Sequence, residues 1–600
     1  KAGLSVGDVI KALFPDGYFD HQLYLGRQDV GSQLKKHPPK RHTSWTNPPC
    51  SAVDLFALAG SLLTRSGAYH HVSPEVPSMT PQALTVKADD REGWVNAGRS
   101  WRGDGQRQLP TPPPTLLEAW AVLYAHLDEP IFRESKYSEK AHVWWRAALS
   151  LFVIADEAAL NLGFETADGK SAQAAYVEFR ARKTVALRGT ISFSSADKDQ
   201  VCVLPKSRTP KVGCTIRSLS HNLALLPGRG MARAYWRLAP SVQPAKYLPQ
   251  EHPFNVVIVP TPYRIHASAF KGHAAADASW GWFGLAPHWC PASQKDNHVD
   301  GFDEFLAFIE ALLIEAEADV GTVHALILPE VALSGQVFRK LCAALQTRPE
   351  FELLVSGLFD YISPTGQTIR EGNFTGMARF GITPAGVASF DISIREKHHR
   401  WRIEKSQIES YALGSALDVN RGWWERIDIL SRSIDVFVLR GGATVTTLIC
   451  EDLARSDPCQ ELVRGIGPNF VVALLMDGPQ MTKRWPARYA TVLAEDPGSS
   501  VLTLTSFGLI KRGNDTGRFP PAQQIGLFQD DSGLITEIQL APGAQAMCIT
   551  LQPSRIRERT LDGRDDNHGA QSWKLSGVNP VTISEPNAAI LTGHWPTGPV

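Results

Sequence analysis

Three residues of different type stand at the carboxyl ends of three apolar or β-branched runs: Glu330 after ALILP, Lys397 after ASFDISIRE and Cys450 after TVTTLI. A strand that ends on a reactive side chain delivers it where the chain turns, and α/β sheets gather ligands at the carboxyl ends of their strands. Three such ends can meet in one crevice. Their types suit hydrolysis of an amide or related C–N bond. Cysteine supplies the nucleophile once its thiol has lost a proton. Glu330 can take that proton, pass it to the departing amine and then activate water. Lys397 brings positive charge to the tetrahedral intermediate, and the backbone N–H of Glu451, in the turn after Cys450, adds a second donor. Lys405 is an alternative to Lys397 as the oxyanion lysine.

Strand-like and helix-like runs alternate from about residue 252 onward. Strands are predicted at Asn255–Val259, Ala325–Leu328, Leu353–Phe359, Arg379–Phe380, Val387–Ile394, Phe470–Met476 and Ser500–Ser506. Val436–Arg440 is expected to pair with Thr444–Ile449. Helices are predicted at Val299–Ala318, Phe338–Leu345, Gln460–Ile466 and Arg488–Glu495. Such interleaving argues for an α/β domain over residues 251–555, with 556–600 as a tail packed outside.

The glutamate, lysine and cysteine, in this order and with these flanks, resemble the nitrilase superfamily of carbon–nitrogen hydrolases. LILPE is similar to the family's glutamate strand, Lys397–His399 to its lysine loop, and LICEDL to its cysteine elbow. The resemblance extends to GNFTGMARF, FVVALLMDGPQMTKRWPARYA and IGLFQDDSGLITEI, and covers about half the chain. It implies a four-layer α-β-β-α sandwich, assembly into homo-oligomers, a small amide, carbamoyl or nitrile substrate, and no metal or cofactor. It also implies that Asn373 and Trp485, with Glu451, belong to the oxyanion and substrate pocket. Many members carry a second glutamate seven or eight residues after the lysine. Glu404 stands at about that offset as the expected support for the site, with Glu409 as the fallback. The stretch HHRWRIEKSQIESYALG departs from familiar lysine loops, so the resemblance names no substrate. Similar domains also occur fused to reverse transcriptases in bacterial antiviral defence. No Tyr-x-Asp-Asp motif is present, so such a polymerase would lie upstream of Lys1.

The rest of the chain reads differently. Residues 1–165 are expected to be mainly helical, with helices at Ser51–Ser66 (capped by Ser51, stopped by Gly67), 115–127 and 138–162, and a Pro- and Gly-rich loop from Val72 to Pro114. Residues 166–250 form a small mixed segment with strands at Val185–Phe193 and Val201–Pro205, a helix at Ser218–Leu226 and a Gly-containing turn at 227–230. From 170 to 250 it carries fourteen Lys or Arg against three acids, although the whole chain has 61 of each sign. Such a segment could contact nucleic acid, or be a solvated face. The alternative reading of the whole is therefore an assembly or sensing module whose basic half binds nucleic acid.

With 43% hydrophobic and 20% charged residues, the 600-residue chain can bury large cores, and about two to four domains are expected. No apolar run approaches the ~18 residues of a membrane span; the best, Leu149–Gly163, is broken by Asp156 and Glu157. Eight cysteines without a CxxC pair or zinc-like spacing argue for free thiols in a reducing, cytoplasmic setting and for no metal site.

Overall fold

The computed structural model describes residues 3–15, 47–78, 84–106, 108–132, 142–164, 171–184, 189–228, 230, 232–237, 252–289, 301–363, 368–383 and 385–584. The chain divides into two units: Lys1–Leu238 with Glu461–Pro468 and Arg555–Gln571, and Ala239–Gln460 with Asn469–Ser554 and Ser572–Val600. The expected boundaries near 165 and 555 are not where this division falls. The basic segment shares a unit with the helices before it, and the tail is split. Among the described residues, no helix is long and apolar enough to cross a membrane.

In the first unit, helices Ala52–Ser66 and Val143–Ala158 stack Phe56 on Phe152 at 4.4 Å. Gly67 ends the former in a left-handed conformation, whereas Ser51 makes no side-chain cap bond. The loop expected over Val72–Pro114 holds a helix, Ala88–Arg102. Its polar sequence hid it, yet Trp94, Ala97, Gly98 and Trp101 bury one face at helical spacing. The helix expected at Ser218–Leu226 is instead a short 3-10 turn followed by the strand Leu223–Pro227, paired with Val201–Pro205. Asp156 explains the change. Its carboxylate accepts the backbone N–H groups of His221 (2.7 Å), Asn222 (2.9 Å) and Leu223 (3.1 Å), drawing amides that a helix would use internally. Arg564 closes this buried hub at 3.0 Å.

Several charges of the basic segment are spent inside the unit. Lys206 and Arg217 are buried, Arg208 donates to Asn222, and Arg180 pairs with Asp54 at 3.0 Å. Residues 185–188 of the expected strand, Arg229 of the Gly-containing turn, and 238–251 lie outside the described residues.

The second unit holds the chemistry-bearing runs. In chain order its strands are β1 (Phe254–Ile258), β2 (Phe270–His273), β3 (Trp280–Leu285), β4 (Ala325–Ile327), β5 (Leu353–Ile362), β6 (Thr368–Ile382), β7 (Ala388–Glu396), β8 (Arg402–Ile403), β9 (Gly422–Glu425), β10 (Ser433–Val438), β11 (Thr444–Ile449), β12 (Phe470–Leu475), β13 (Ser500–Thr505), β14 (Gln524–Gln529), β15 (Ile535–Gln539), β16 (Ala546–Ile556) and β17 (Ala570–Val581). Its helices are α1 (Gly301–Val320), α2 (Gly335–Leu345), α3 (Lys405–Ser410), α4 (Trp485–Glu495) and α5 (Phe507–Asp515). One sheet runs β7-β6-β5-β4-β1-β16-β17. In another, the strands of this unit run β15-β14-β13-β12-β11-β10, and a small sheet runs β8-β9-β3-β2. The predicted tail thus contributes β17 to a sheet edge.

Alternation along each strand decides the layers. Val256, Ile258, Ala325, Ile327 and Val355 share one core with Val445, Val472, Leu474, Leu502 and Leu504 of the second sheet. Their neighbours Val257, Leu326 and Leu354 turn the other way, into a core with Phe305, Phe308 and Leu312 of α1 and Phe338 of α2. Strands covered on both faces read as continuous apolar runs, which is why they are visible in sequence. On the second sheet, α4 lies along β13 and β14.

Candidate active site

Glu330 follows β4 after a tight turn in which Val331 takes φ 59°. The turn is pressed against β5: Gly357 donates to the Pro329 carbonyl at 3.0 Å, and Leu333 donates to the Gly357 carbonyl at 3.1 Å. A Cβ at Gly357 would overlap the backbone of Glu330 and Val331, so only glycine permits this approach. Lys397 continues β7, and its N–H donates to the Asn373 carbonyl on β6 at 2.8 Å. Cys450 is the first residue past β11 and takes φ 45°, a strained backbone for a residue with a Cβ. Its side chain packs with Ile449 and Leu475, against which Trp485, the first residue of α4, also rests.

These side chains form one buried cluster. The Lys397 ammonium donates to Glu330 Oε1 at 3.0 Å and to Glu425 Oε2 at 2.8 Å. Asn373 Nδ2 donates to Glu330 Oε1 at 2.7 Å and to Glu425 Oε1 at 2.8 Å. The Trp401 N–H completes Glu425 at 2.9 Å. Glu330 Oε2 is buried and has no hydrogen-bond partner among the described residues. One oxygen of the carboxylate is therefore anchored while the other is left to accept a proton.

The electrostatics follow from three charges in a buried site. Burial pushes the Glu330 carboxyl above the usual carboxylate range; Lys397 opposes this and Glu425 adds to it. Burial alone would lower the Lys397 pKa, but the two carboxylates outweigh it and hold the ammonium well above its ordinary value. Burial, and then Glu330, push the Cys450 thiol well above its ordinary value, with Lys397 pulling against them. The resting thiol is therefore protonated, and it could act as a nucleophile only as its proton leaves.

Asp452 joins the lysine loop to the cysteine turn. Its carboxylate accepts the backbone N–H groups of His398 and His399, each at 3.1 Å. Burial would raise its pKa, but His398 and His399 outweigh that and hold it below the usual range. Arg395 ties β7 to β11 through Thr447 Oγ1 at 3.0 Å and the Thr447 carbonyl. Beyond the cysteine, Asp477 Oδ1 accepts from Tyr411 and Arg484, both at 2.7 Å, while Oδ2 is buried without a partner among the described residues. Asp477 also raises the Cys450 thiol electrostatically.

Of the residues singled out in the sequence, the fold brings together Glu330, Lys397, Cys450 and Asn373, with Trp485 on the adjoining wall. The Glu451 side chain turns to Arg455 at 2.8 Å, leaving only its backbone to the elbow. Glu404 is a correction. It caps α3, its side chain is 59% exposed, and it pairs with Arg402 rather than with the cluster. Glu409 likewise faces outward to Arg518, and Lys405 is exposed at the start of α3. The second buried carboxylate on Lys397 is that of Glu425, on β9, 28 residues after the lysine. Asp452 and Asp477 were also missed. The signal for Glu425 was the triplet Trp423–Trp424–Glu425, where a buried tryptophan two residues earlier puts the glutamate on the inward face.

No family model matches the chain, and no curated protein matches it. Among solved structures, glutamine-dependent NAD+ synthetase from Acinetobacter baumannii matches 56% of this chain and 50% of its own, at 12% identity and a TM-score of 0.29. Nit3 from Saccharomyces cerevisiae, a member of branch 10 of the nitrilase superfamily, matches 51% of this chain and 92% of its own, at 13% identity and a TM-score of 0.26. The matched region spans half the length of the synthetase.

Proposed function

We propose that the second unit is a nitrilase-type four-layer α-β-β-α sandwich that hydrolyses a small non-peptide C–N bond, of amide, carbamoyl or nitrile type, through Cys450. The observation that carries this reading is the half-anchored Glu330: Oε1 held by Lys397 and Asn373, Oε2 buried and unpartnered, beside a thiol on a strained turn. For an amide, Glu330 Oε2 takes the Cys450 proton as sulfur attacks the carbonyl carbon. The oxyanion forms beside the Lys397 ammonium and the Glu451 N–H. The C–N bond breaks as Glu330 returns the proton to the departing amine, leaving a thioester. Water then attacks the thioester, its proton passing to Glu330 and on to the leaving thiolate, and the acid is released. Glu425 and Asn373 hold Lys397 and Glu330 in register. The Asp477 trio is suited to accept a substrate N–H.

The test is a panel of small primary amides, carbamoyl compounds and nitriles, read by product release and by intact-mass detection of a hydroxylamine-sensitive adduct on Cys450. The expected result is an adduct with at least one class, lost in Cys450→Ala together with at least ~10³-fold in turnover. Turnover that survives Cys450→Ala would refute the reading.

A further inference from the structure

The small sheet β8-β9-β3-β2 has two faces of opposite character. Phe270, Phe283, Trp423 and Ile403 turn inward into one core. The register pairs Trp282 with Trp424 across β3 and β9, and Trp424 with Arg402 across β9 and β8. Trp280 stands two residues before Trp282 and so shares its side. These three tryptophans are 50%, 36% and 36% exposed for Trp280, Trp282 and Trp424, which is unusual for the largest apolar side chain. They line a pocket of about 690 Å³ that none of Glu330, Lys397 and Cys450 lines.

Cations share the lining. Arg400, Arg402, Arg432 and Arg455 all border the pocket, and no acid among the described residues does. The carboxylates that pair with three of them sit outside the lining: Glu404 with Arg402 at 3.3 Å, Asp457 with Arg432 at 3.4 Å, and Glu451 with Arg455 at 2.8 Å. A guanidinium carries five N–H donors in a planar fork, so one carboxylate contact orients it without exhausting it. Two arginines already lie over tryptophan rings: Arg400 over Trp282 at 5.7 Å and Arg402 over Trp424 at 5.3 Å. Trp280 and Trp282 meet edge to face at 5.9 Å.

We propose that this pocket binds a nucleotide, the heteroaromatic ring stacking on the tryptophans and the phosphates held by the arginines. Stacking planes beside guanidinium forks match a ring joined to phosphate better than either group alone. The volume lies within the ~300–1,000 Å³ typical of small-molecule sites. The lining is built from the segment that departs from familiar lysine loops: His399, Arg400 and Arg402 follow Lys397 directly, and Trp424 precedes Glu425, which holds the lysine. The same chemistry could arrive as a free nucleotide or as one unit of a single strand, and the two sources are separable.

Titration of the full chain by tryptophan fluorescence with ATP, AMP, inorganic triphosphate and a short single-stranded RNA tests this without any turnover, so it stands or falls apart from the hydrolase reading. Saturable quenching by ATP or AMP identifies a free nucleotide as the ligand; saturation by the RNA alone identifies the strand. Trp280→Leu and Arg402→Gln, both at exposed positions, should each weaken the binding at least ~10-fold. The proposal is overturned if neither nucleotide nor RNA saturates the signal below millimolar concentration. It is equally overturned if inorganic triphosphate binds as tightly as ATP, or if the two variants bind like the parent.

Discussion

Glu425 offers the sharpest test of the cluster, because it touches Lys397 and Asn373 but would transfer no proton. Its Oε2 lies 2.8 Å from the lysine nitrogen, and both side chains are almost fully buried. At an effective dielectric of ~20 that contact is worth about 6 kcal/mol of Coulomb attraction, much of it offset by desolvation. Removing one partner of such a pair costs about 3–5 kcal/mol. Glu425→Gln keeps the volume and can still accept from Lys397 and Trp401, which argues for the lower end. Its NH₂ group, however, would meet the Asn373 NH₂ that now donates to Glu425 Oε1. If ~3 kcal/mol of this appears in the transition state, kcat/KM falls about 10²-fold. The pH profile carries the second signature. The proposed reaction needs Glu330 ionised, so activity should be lost as pH falls through the Glu330 pKa, which lies above the usual carboxylate range in the parent. Glu425 is one of the charges that raise it, so Glu425→Gln should move the acid limb to lower pH. The assay is kcat/KM against pH for parent, Glu425→Gln and Glu404→Gln, the last expected within ~2-fold of parent because Glu404 is exposed. An unchanged acid limb with kcat/KM within ~3-fold of parent would refute the assigned geometry.

Other consequences can be checked without knowing the substrate. Lys397→Met removes the cation that stabilises the Cys450 thiolate and should slow iodoacetamide alkylation of Cys450 at pH 8 at least ~10-fold, measured by peptide mass spectrometry. Gly357→Ala must displace the Glu330 turn; kcat should fall more than ~10-fold while circular dichroism stays that of the parent. Asp156→Ala strips three backbone amides and Arg564 of their acceptor, and should destabilise the first unit by at least ~3 kcal/mol, seen as an earlier unfolding step in calorimetry.

The parts of this molecule that were legible in its sequence are those where one local pattern had one physical solution. β4, β11, β12 and β13 are continuous β-branched or apolar runs because both of their faces are covered, and Glu330 and Cys450 sit just beyond two of them. Glu425 was not legible because the segment after Lys397 leaves the core to build β8, α3 and β9 before returning. An offset counted along the chain therefore landed on Glu404, which only caps a short helix. Ala88–Arg102 was hidden because three buried side chains and one buried glycine in fifteen residues make too narrow a stripe against so many charges. Ser218–Leu226 shows a different failure. Its short apolar run suits a helix or a strand equally, and Asp156, more than sixty positions away, decides for the strand by taking the amides.

Arg564 reaches Asp156 across 408 positions of chain. The first unit is therefore not written as one contiguous message: its last pieces, Glu461–Pro468 and Arg555–Gln571, are translated only after most of the second unit. At a ribosomal pace of ~5–20 residues per second, Asp156 waits about 20–80 seconds for its arginine. During that interval the emerging N-terminal half carries a buried carboxylate without the arginine that pairs with it directly. The two units are completed in an interleaved order, since Ser572–Val600, with most of β17, reaches the second unit only after the first has received its final segment. A chain cut near residue 250 would divide the text between the units without dividing the structures.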